Sequence, residues 1–412
     1  MDDRPRNLKA MFSEAKDTSE LMVDLGYAAL FFGDEDMAEE VLDLEEQLSE
    51  LVHEMRGVCV KAARSPRDAD QMSGVLHLVG AIERMGNAAV DIAKIVTHKL
   101  GIPAALVNDL AAAHEVSHRV RVRQDSQLDG RTLDELELPA ETGLRVVAIR
   151  RAKDWIADPD DDEVLRADDV LITRGAAEGI AELRELAGAP TWHVASIEED
   201  AAITDLDRAV DVLVEMKNVS EAAVALAYSA LLFKDATLAA EVVTLEDRLD
   251  EMREHLEVWV LRAAAETIDP SPLRGLLHLG GAAEEIGDAA QQMVWLVEEN
   301  EELHPVLSAA LGDSDDVVVK FPLAEGSPLL GPVGRGAQLG DDTGFQLLAI
   351  RRGGRSTLPA RGGLTLQPGD EIIAYGPWEG RDDLAEQCGF RLIDDDDTGA
   401  IELEPLSSRR TG

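Results

Sequence analysis

Four carboxylates in the second half of the chain stand at a spacing that chemistry can use. Glu246 and Asp250 are four residues apart, as are Glu284 and Asp288, so each pair occupies one face of a helix. A turn is expected near residue 268. Asp250 lies 18 residues before it and Glu284 16 after it; Glu246 lies 22 before and Asp288 20 after. An antiparallel helix pair therefore brings all four to similar height. Carboxylates so gathered repel one another without a cation, and oxygen ligands suit hard divalent ions, so these four are the candidate metal ligands. The plain alternative is a solvated rim beside an apolar stripe. The matching positions of the first half are Glu45, Ser49, Glu83 and Asn87, where two of the four are neutral and any such site is weak or lost.

Arg150-Arg151 and Arg351-Arg352 each end a strand-like run. An arginine pair can receive a phosphate or carboxylate, which makes these four the candidate ligand-binding residues. The alternative is surface pairing with the abundant Asp and Glu. His77 and His278 occupy matching positions, but no second His or Cys lies at metal spacing, so each reads as a helix-face or core histidine. Gly-x-Ser-x-Gly, His-Glu-x-x-His and a phosphate loop ending in Lys-Ser/Thr are absent, and no Gly-x-Gly-x-x-Gly follows a strand. A non-catalytic protein is expected.

The elements that position these residues come in two copies. His278 and His77 are 278 − 77 = 201 residues apart. The same offset pairs Lys16 with Lys217, Ser19-Glu20 with Ser220-Glu221, Tyr27 with Tyr228, and Ala148-Ile149-Arg150-Arg151 with Ala349-Ile350-Arg351-Arg352. One gapless offset over so long a stretch means that the whole unit was duplicated. In the first part of each unit, Met37, Val41, Leu44, Leu48, Leu51 and Met55 recur every three or four residues, as do Leu238, Val242, Leu245, Leu249, Met252 and Leu256. That period is one apolar stripe on a helix. Gly33-Asp34 marks a break with Asp34 as N-cap, and Ser65-Pro66 and Asp269-Pro270 mark the next. Helices over about 4–32, 35–64 and 68–100, each ~45 Å long, form an antiparallel three-helix bundle. A shorter helix from Pro103 to His114 leads out of it.

The second part changes period. Val116 to Arg123 alternates, Leu144 to Ile149 and Val170 to Thr173 read as strands, and Ala176 to Ala187 as a closing helix. Asp168-Asp169 and Pro368-Gly369-Asp370 supply turns before the last strand. The fold class is thus α+β and multidomain. The expected domains are a helical bundle over 1–115, a small α/β domain over 116–190, a linker over 191–205, a second bundle over 206–315, a second α/β domain over 316–393, and an acidic disordered tail over 394–412. The two α/β domains should pair with each other, and the two bundles should lie side by side, because linkage in one chain raises the effective concentration for pairing.

Composition narrows the function. There are 82 Asp and Glu against 39 Lys and Arg, a formal net charge of −43, and aromatic residues are only 4%. The cores must be aliphatic, and so negative a field repels nucleic-acid backbones, which excludes DNA and RNA as partners. The acidic, Lys-poor composition resembles that of proteins from salt-loving archaea. Cys59 and Cys388 support neither a disulfide framework nor a zinc site. Met1-Asp2-Asp3-Arg4 does not begin a signal peptide, and the longest apolar run, Ala222 to Phe233, is short of the ~20 residues that span a bilayer. A cytoplasmic protein is expected, meeting a membrane through a partner.

The helical part resembles the PhoU-like family on Leu245-Glu246-Asp247-Arg248-Leu249-Asp250 and Glu284-Glu285-Ile286-Gly287-Asp288. The α/β part resembles the TrkA C-terminal domain, also found in regulators of potassium conductance. Ser126-x-Leu128-x-Gly130, Val146-Val147-Ala148-Ile149 and Asp169-Val170-Leu171-Ile172 carry the likeness in repeat one. Ser327-x-Leu329-x-Gly331, Leu348-Ala349-Ile350 and Pro368-Gly369-Asp370-Glu371-Ile372-Ile373 carry it in repeat two. The resemblance implies a regulator of cation transport, most directly potassium, docking on a membrane transporter or channel and pairing as a dimer. It also implies cyclic di-AMP or another nucleotide as a candidate regulator. The alternative it implies is a PhoU-type metal-binding regulator of phosphate transport. Repeat two departs at Gly331-Pro332-Val333-Gly334-Arg335-Gly336, which should spoil the short helix that repeat one forms after Gly130.

Self-repulsion at this net charge should loosen the fold in dilute buffer. The melting temperature is expected to rise steeply from roughly 0.1 M to molar potassium chloride; a flat response would show that charge is not limiting.

Overall fold

The computed structural model describes residues 7–103, 106, 116–136, 138–152, 154–157, 159–175, 179–190, 204–299, 304–307, 316–333, 339, 343–352, 355–357, 365–394 and 401–406. The helix expected over Pro103 to His114 and the linker expected between Pro190 and Thr204 lie mainly outside them.

Repeat one begins with α1 (Leu8–Phe32), α2 (Glu35–Ala62) and α3 (Pro66–Thr97), packed against one another. Each start has a physical reason. Asn7, Asp34 and Ser65 accept the backbone N–H of Ala10, Met37 and Asp68, and Pro66 opens α3 where its missing N–H costs nothing. The α2 stripe from Met37 to Met55 is buried as its period requires. The α/β part follows as β1 (Val116–Arg121), α4 (Leu133–Leu136), α5 (Leu138–Thr142), β2 (Leu144–Arg151), β3 (Asp154–Ala157), β4 (Val170–Gly175) and α6 (Ile180–Leu186). Its sheet runs β1-β4-β2-β3. Strand β3 is an addition to the elements read from the sequence; it pairs antiparallel with β2, with Trp155 opposite Arg150.

Repeat two gives α7 (Asp205–Phe233), α8 (Ala236–Glu266) and α9 (Leu273–Glu298). Thr204 and Asp207 form a capping box at the start of α7. The α8 stripe is buried except at Met252, which is half-buried. Then come β5 (Asp316–Pro322), β6 (Gly331–Pro332), β7 (Gln346–Arg352), β8 (Arg355–Thr357), β9 (Thr365–Leu366), β10 (Glu371–Pro377), a 3-10 turn (Trp378–Gly380), α10 (Arg381–Cys388), β11 (Phe390–Asp394) and β12 (Ile401–Pro405). The sheet order β5-β10-β7-β8 repeats that of the first domain. At the point of departure, Gly331–Pro332 is extended and pairs with Thr365–Leu366; the counterpart of Leu133, where repeat one begins a helix, is Gly334, and the loss of that helix expected in repeat two lies outside the described residues.

Disorder was expected from residue 394 onward, yet Ile401–Pro405 pairs in register with Phe390–Asp394, and Leu403 packs on the core formed by Phe321, Phe345 and Ile372. Alternation of Ile401 and Leu403 with glutamates suits a strand, and pairing satisfies its backbone.

The chain forms two compact units. One holds residues 1–119, 147–159 and 192–314; the other holds 120–146, 160–191 and 315–412. In the first, α3 packs on α9, so the bundles do lie side by side. In the second, α5 packs on the Trp378–Gly380 turn, and a Cβ on Gly344 would come within 2.7 Å of the Pro139 carbonyl, so the two α/β domains meet as expected. No helix among the described residues is long and apolar enough to cross a membrane.

Two glycines related by the repeat make one close approach in each α/β domain. A Cβ on Gly179 would lie 1.6 Å from the Thr142 carbonyl oxygen, and one on Gly380 1.9 Å from that of Thr343. Backbone cannot move aside as a side-chain tip can. Gly179→Ala and Gly380→Ala should each lose at least about 2 kcal/mol in chemical denaturation. A loss under about 0.5 kcal/mol would show that these turns give way freely.

Candidate functional site

The four carboxylates of α8 and α9 lie near one another, Asp250 and Asp288 bearing on both Glu246 and Glu284. Glu246 is nearly buried and accepts a hydrogen bond from Gln291 Nε2 at 2.7 Å. Burial, then the negative charges of Asp250, Asp288 and Asp247, push its carboxyl up to about 7. Glu284 is also raised, first by burial, although Arg253 pulls the other way through a 2.5 Å contact. Asp288 takes Arg84 Nη2 from α3 at 2.6 Å. Arginine guanidinium groups therefore face Glu284 and Asp288. No set of three or more His, Cys, Asp or Glu among the described residues is arranged to hold a metal ion. In repeat one, Glu83 is held by Arg56 at 2.5 Å.

The arginines of the two pairs have different partners. Arg150 lies 3.7 Å from Asp34 and 3.3 Å from Asp36, with its guanidinium 5.9 Å from the centre of the Trp155 ring. Arg151 is half-buried. Arg351 reaches Glu371 at 4.0 Å. Arg352 grips Asp370 through two 2.6 Å contacts and also donates to the Thr365 carbonyl at 2.9 Å. Asp370 is buried and caps its own turn by accepting the Gln367 N–H at 2.8 Å. Burial opposes its charge, but the Arg352 hydrogen bonds, the Gln367 N–H and the Arg352 charge outweigh it, so its carboxyl lies below the usual range. In repeat one, Asp169 caps the matching turn by accepting the Arg166 N–H at 2.9 Å. Arg352 is thus a brace on the turn that launches β10.

Sequence reasoning missed a polar set between the bundles. Lys16 lies over the Tyr228 ring at 5.0 Å and Lys217 over the Tyr27 ring at 5.2 Å. Both lysines are buried, and each pairs with the glutamate one turn on, Glu20 or Glu221. Burial, then the nearby acids, pushes both phenols well above the ordinary tyrosine range, which keeps them neutral. Across the third helices, Arg84 Nε donates to Glu285 at 2.7 Å, His77 Nε2 lies 2.9 Å from the Gln292 carbonyl, and the His77 and Trp295 rings are 4.8 Å apart. The signal lay in the repeat: a lysine kept at one position of an otherwise apolar helix face in both copies has a buried partner to meet.

Comparison with known domains follows the same divisions. The PhoU domain family matches residues 12–96 and 213–297, and the TrkA-C domain family matches 118–188 and 318–389. The chain carries two PhoU domains and two TrkA-C domains in tandem repeats. Ktr system potassium uptake protein C of Bacillus subtilis (strain 168) is 31% identical over 116 residues, which is 28% of this chain and 51% of that protein. The chain therefore spans about half the length of this curated relative. Among solved structures, PhoU from Pseudomonas aeruginosa is similar at 14% identity, covering 70% of this chain and 93% of that one with a TM-score of 0.39. The GsuK channel bound to NAD is similar at 15% identity, covering 77% of this chain and 65% of that one with a TM-score of 0.18. The carboxylate group at Glu246 thus belongs to the second PhoU domain, and the Arg352 brace to the second TrkA-C domain.

Because Glu246 binds its proton more tightly in the folded PhoU domain than in the unfolded chain, its contribution is full below the usual glutamate range and is lost as pH rises through about 7. At fixed salt, the wild-type melting temperature should fall between about pH 5 and about pH 8 more than that of Glu246→Gln. The variant should be the more stable at the upper end, by about 1–3 kcal/mol. Equal slopes in the two proteins would show that the carboxyl ionises without penalty.

Proposed function

We propose that this protein is a regulatory component of a potassium transport system. In this reading, the TrkA-C pair docks on a membrane cation transporter and senses a small ligand, and the PhoU pair transmits or anchors. The observation that carries it is the double TrkA-C match, joined by 31% identity over 116 residues to a potassium uptake protein. The meeting of α5 with the Trp378–Gly380 turn supports the sensing role, since a ligand bound where both repeats contribute bears on both domains at once. The absence of long apolar helices among the described residues fits a subunit that reaches the membrane through its partner.

Affinity purification of the full chain from membranes kept in molar potassium chloride should bring down an integral cation transporter. Deletion in the source cell should change rubidium uptake and leave phosphate uptake unaltered. Altered phosphate uptake with unchanged rubidium uptake would overturn the potassium reading in favour of the phosphate one. For the ligand, thermal shift in the same salt should show stabilisation by cyclic di-AMP or an adenine nucleotide. A response to divalent metals alone would move the sensing role to the PhoU domains.

A further inference from the structure

The bundles meet along α3 and α9, which run antiparallel: a Cβ on Gly74 would touch Leu296, His77 faces Gln292, and Arg84 faces Glu285. Arg84 and Glu285 are 201 residues apart, which is the repeat offset itself. Each therefore meets its own counterpart, and the pseudo-twofold axis relating the bundles passes between them.

Twofold symmetry treats contacts on and off such an axis differently. Off the axis, a residue of one copy meets a different residue of the other, so one complementary pair can be kept unchanged in both copies. Lys16 with Tyr228 and Lys217 with Tyr27 are such a pair. On the axis, a residue meets itself, and identical charged residues would repel. There the copies have diverged. Arg84 stands against Glu285, and Asn87 is the counterpart of Asp288. Arg84 alone satisfies three groups of the other bundle: Glu285 at 2.7 Å, Asp288 at 2.6 Å and Gln292 at 3.4 Å.

We propose that Arg84, set against Glu285 and Asp288 and backed by a neutral Asn87 at the position that Asp288 holds in the other repeat, forms a selectivity element that directs the first bundle to the second and rejects a bundle of its own kind. Two first bundles would set Arg84 against Arg84. Two second bundles would gather two copies of Glu285 and two of Asp288 on the axis with no cation among them. The Lys–Tyr contacts use the same residues in both repeats and cannot discriminate, whereas the unlike charges at the axis can. The fitting partner for each bundle is a bundle of the other kind, which linkage supplies from the same chain, and like-with-like association between chains is disfavoured.

The test exchanges the two faces in the full chain. Arg84→Glu/Asn87→Asp makes both faces acidic, Glu285→Arg/Asp288→Asn makes both basic, and all four substitutions together swap them. Each half-exchange should speed backbone hydrogen exchange in α3 and α9 by about tenfold or more while helical circular dichroism is kept. The full exchange should return it to within about threefold of wild type. A half-exchange that exchanges like wild type, or a full exchange that recovers nothing, overturns the proposal. If a half-exchange does not fold at all, recovery of folding in the four-substitution chain supports it and failure to recover overturns it. Arg84→Gln distinguishes charge from packing: it should lose less than Arg84→Glu, and an equal loss would overturn the charge reading.

Discussion

Where α3 crosses α9, a single guanidinium from the first bundle is shared among two carboxylates and an amide of the second. Without it, Glu285 and Asp288 would stand beside Glu246 and Asp250 in a chain already overloaded with negative charge. Each further acid raises the cost of ionising the others. The crossing also sets the separation at which Lys16 and Lys217 reach the opposing tyrosines. The bundle pair is thus organised around one point of charge neutralisation, with buried polar contacts ranged to either side.

The same use of arginine recurs throughout the molecule. Arg253 on Glu284 and Arg352 on Asp370 each neutralise a carboxylate that burial would otherwise penalise. Arg352 and Asp370 show the pattern most clearly, since the aspartate is buried and its charge is held by two donors of one planar fork. With 39 basic residues for 82 acidic ones, 82 − 39 = 43 negative charges are left over for dissolved cations to screen. Internal pairs of this kind are affected far less by salt.

Much of the architecture was legible because period and repeat speak directly of local structure. The stripe from Met37 to Met55 announced a helix, and the 201-residue offset announced two copies. Register alone brought Glu246, Asp250, Glu284 and Asp288 into one neighbourhood. What register could not give was Arg84, which arrives from a helix of the other repeat. For the same reason Arg150 and Arg352, alike in sequence as members of Arg-Arg pairs, have unlike partners: Asp34 and Asp36 for the one, Asp370 for the other. The strand Ile401–Pro405 escaped notice because it is short, follows an aspartate run and owes its form to a neighbouring strand. Strand β3 escaped it because four residues are too few to display alternation.

The order in which the helices leave the ribosome gives the α3 face a history. It is complete once Thr97 has been made, but its partner is not finished until Glu298, about two hundred residues later. At synthesis rates of about 5–20 residues per second, the first bundle waits roughly 10–40 seconds with Lys16, Tyr27 and Arg84 uncovered. Neighbouring chains on the same message present that identical face at the same time. Mutual repulsion at Arg84 then acts as a kinetic guard, holding nascent first bundles apart until each can close on the second half of its own chain.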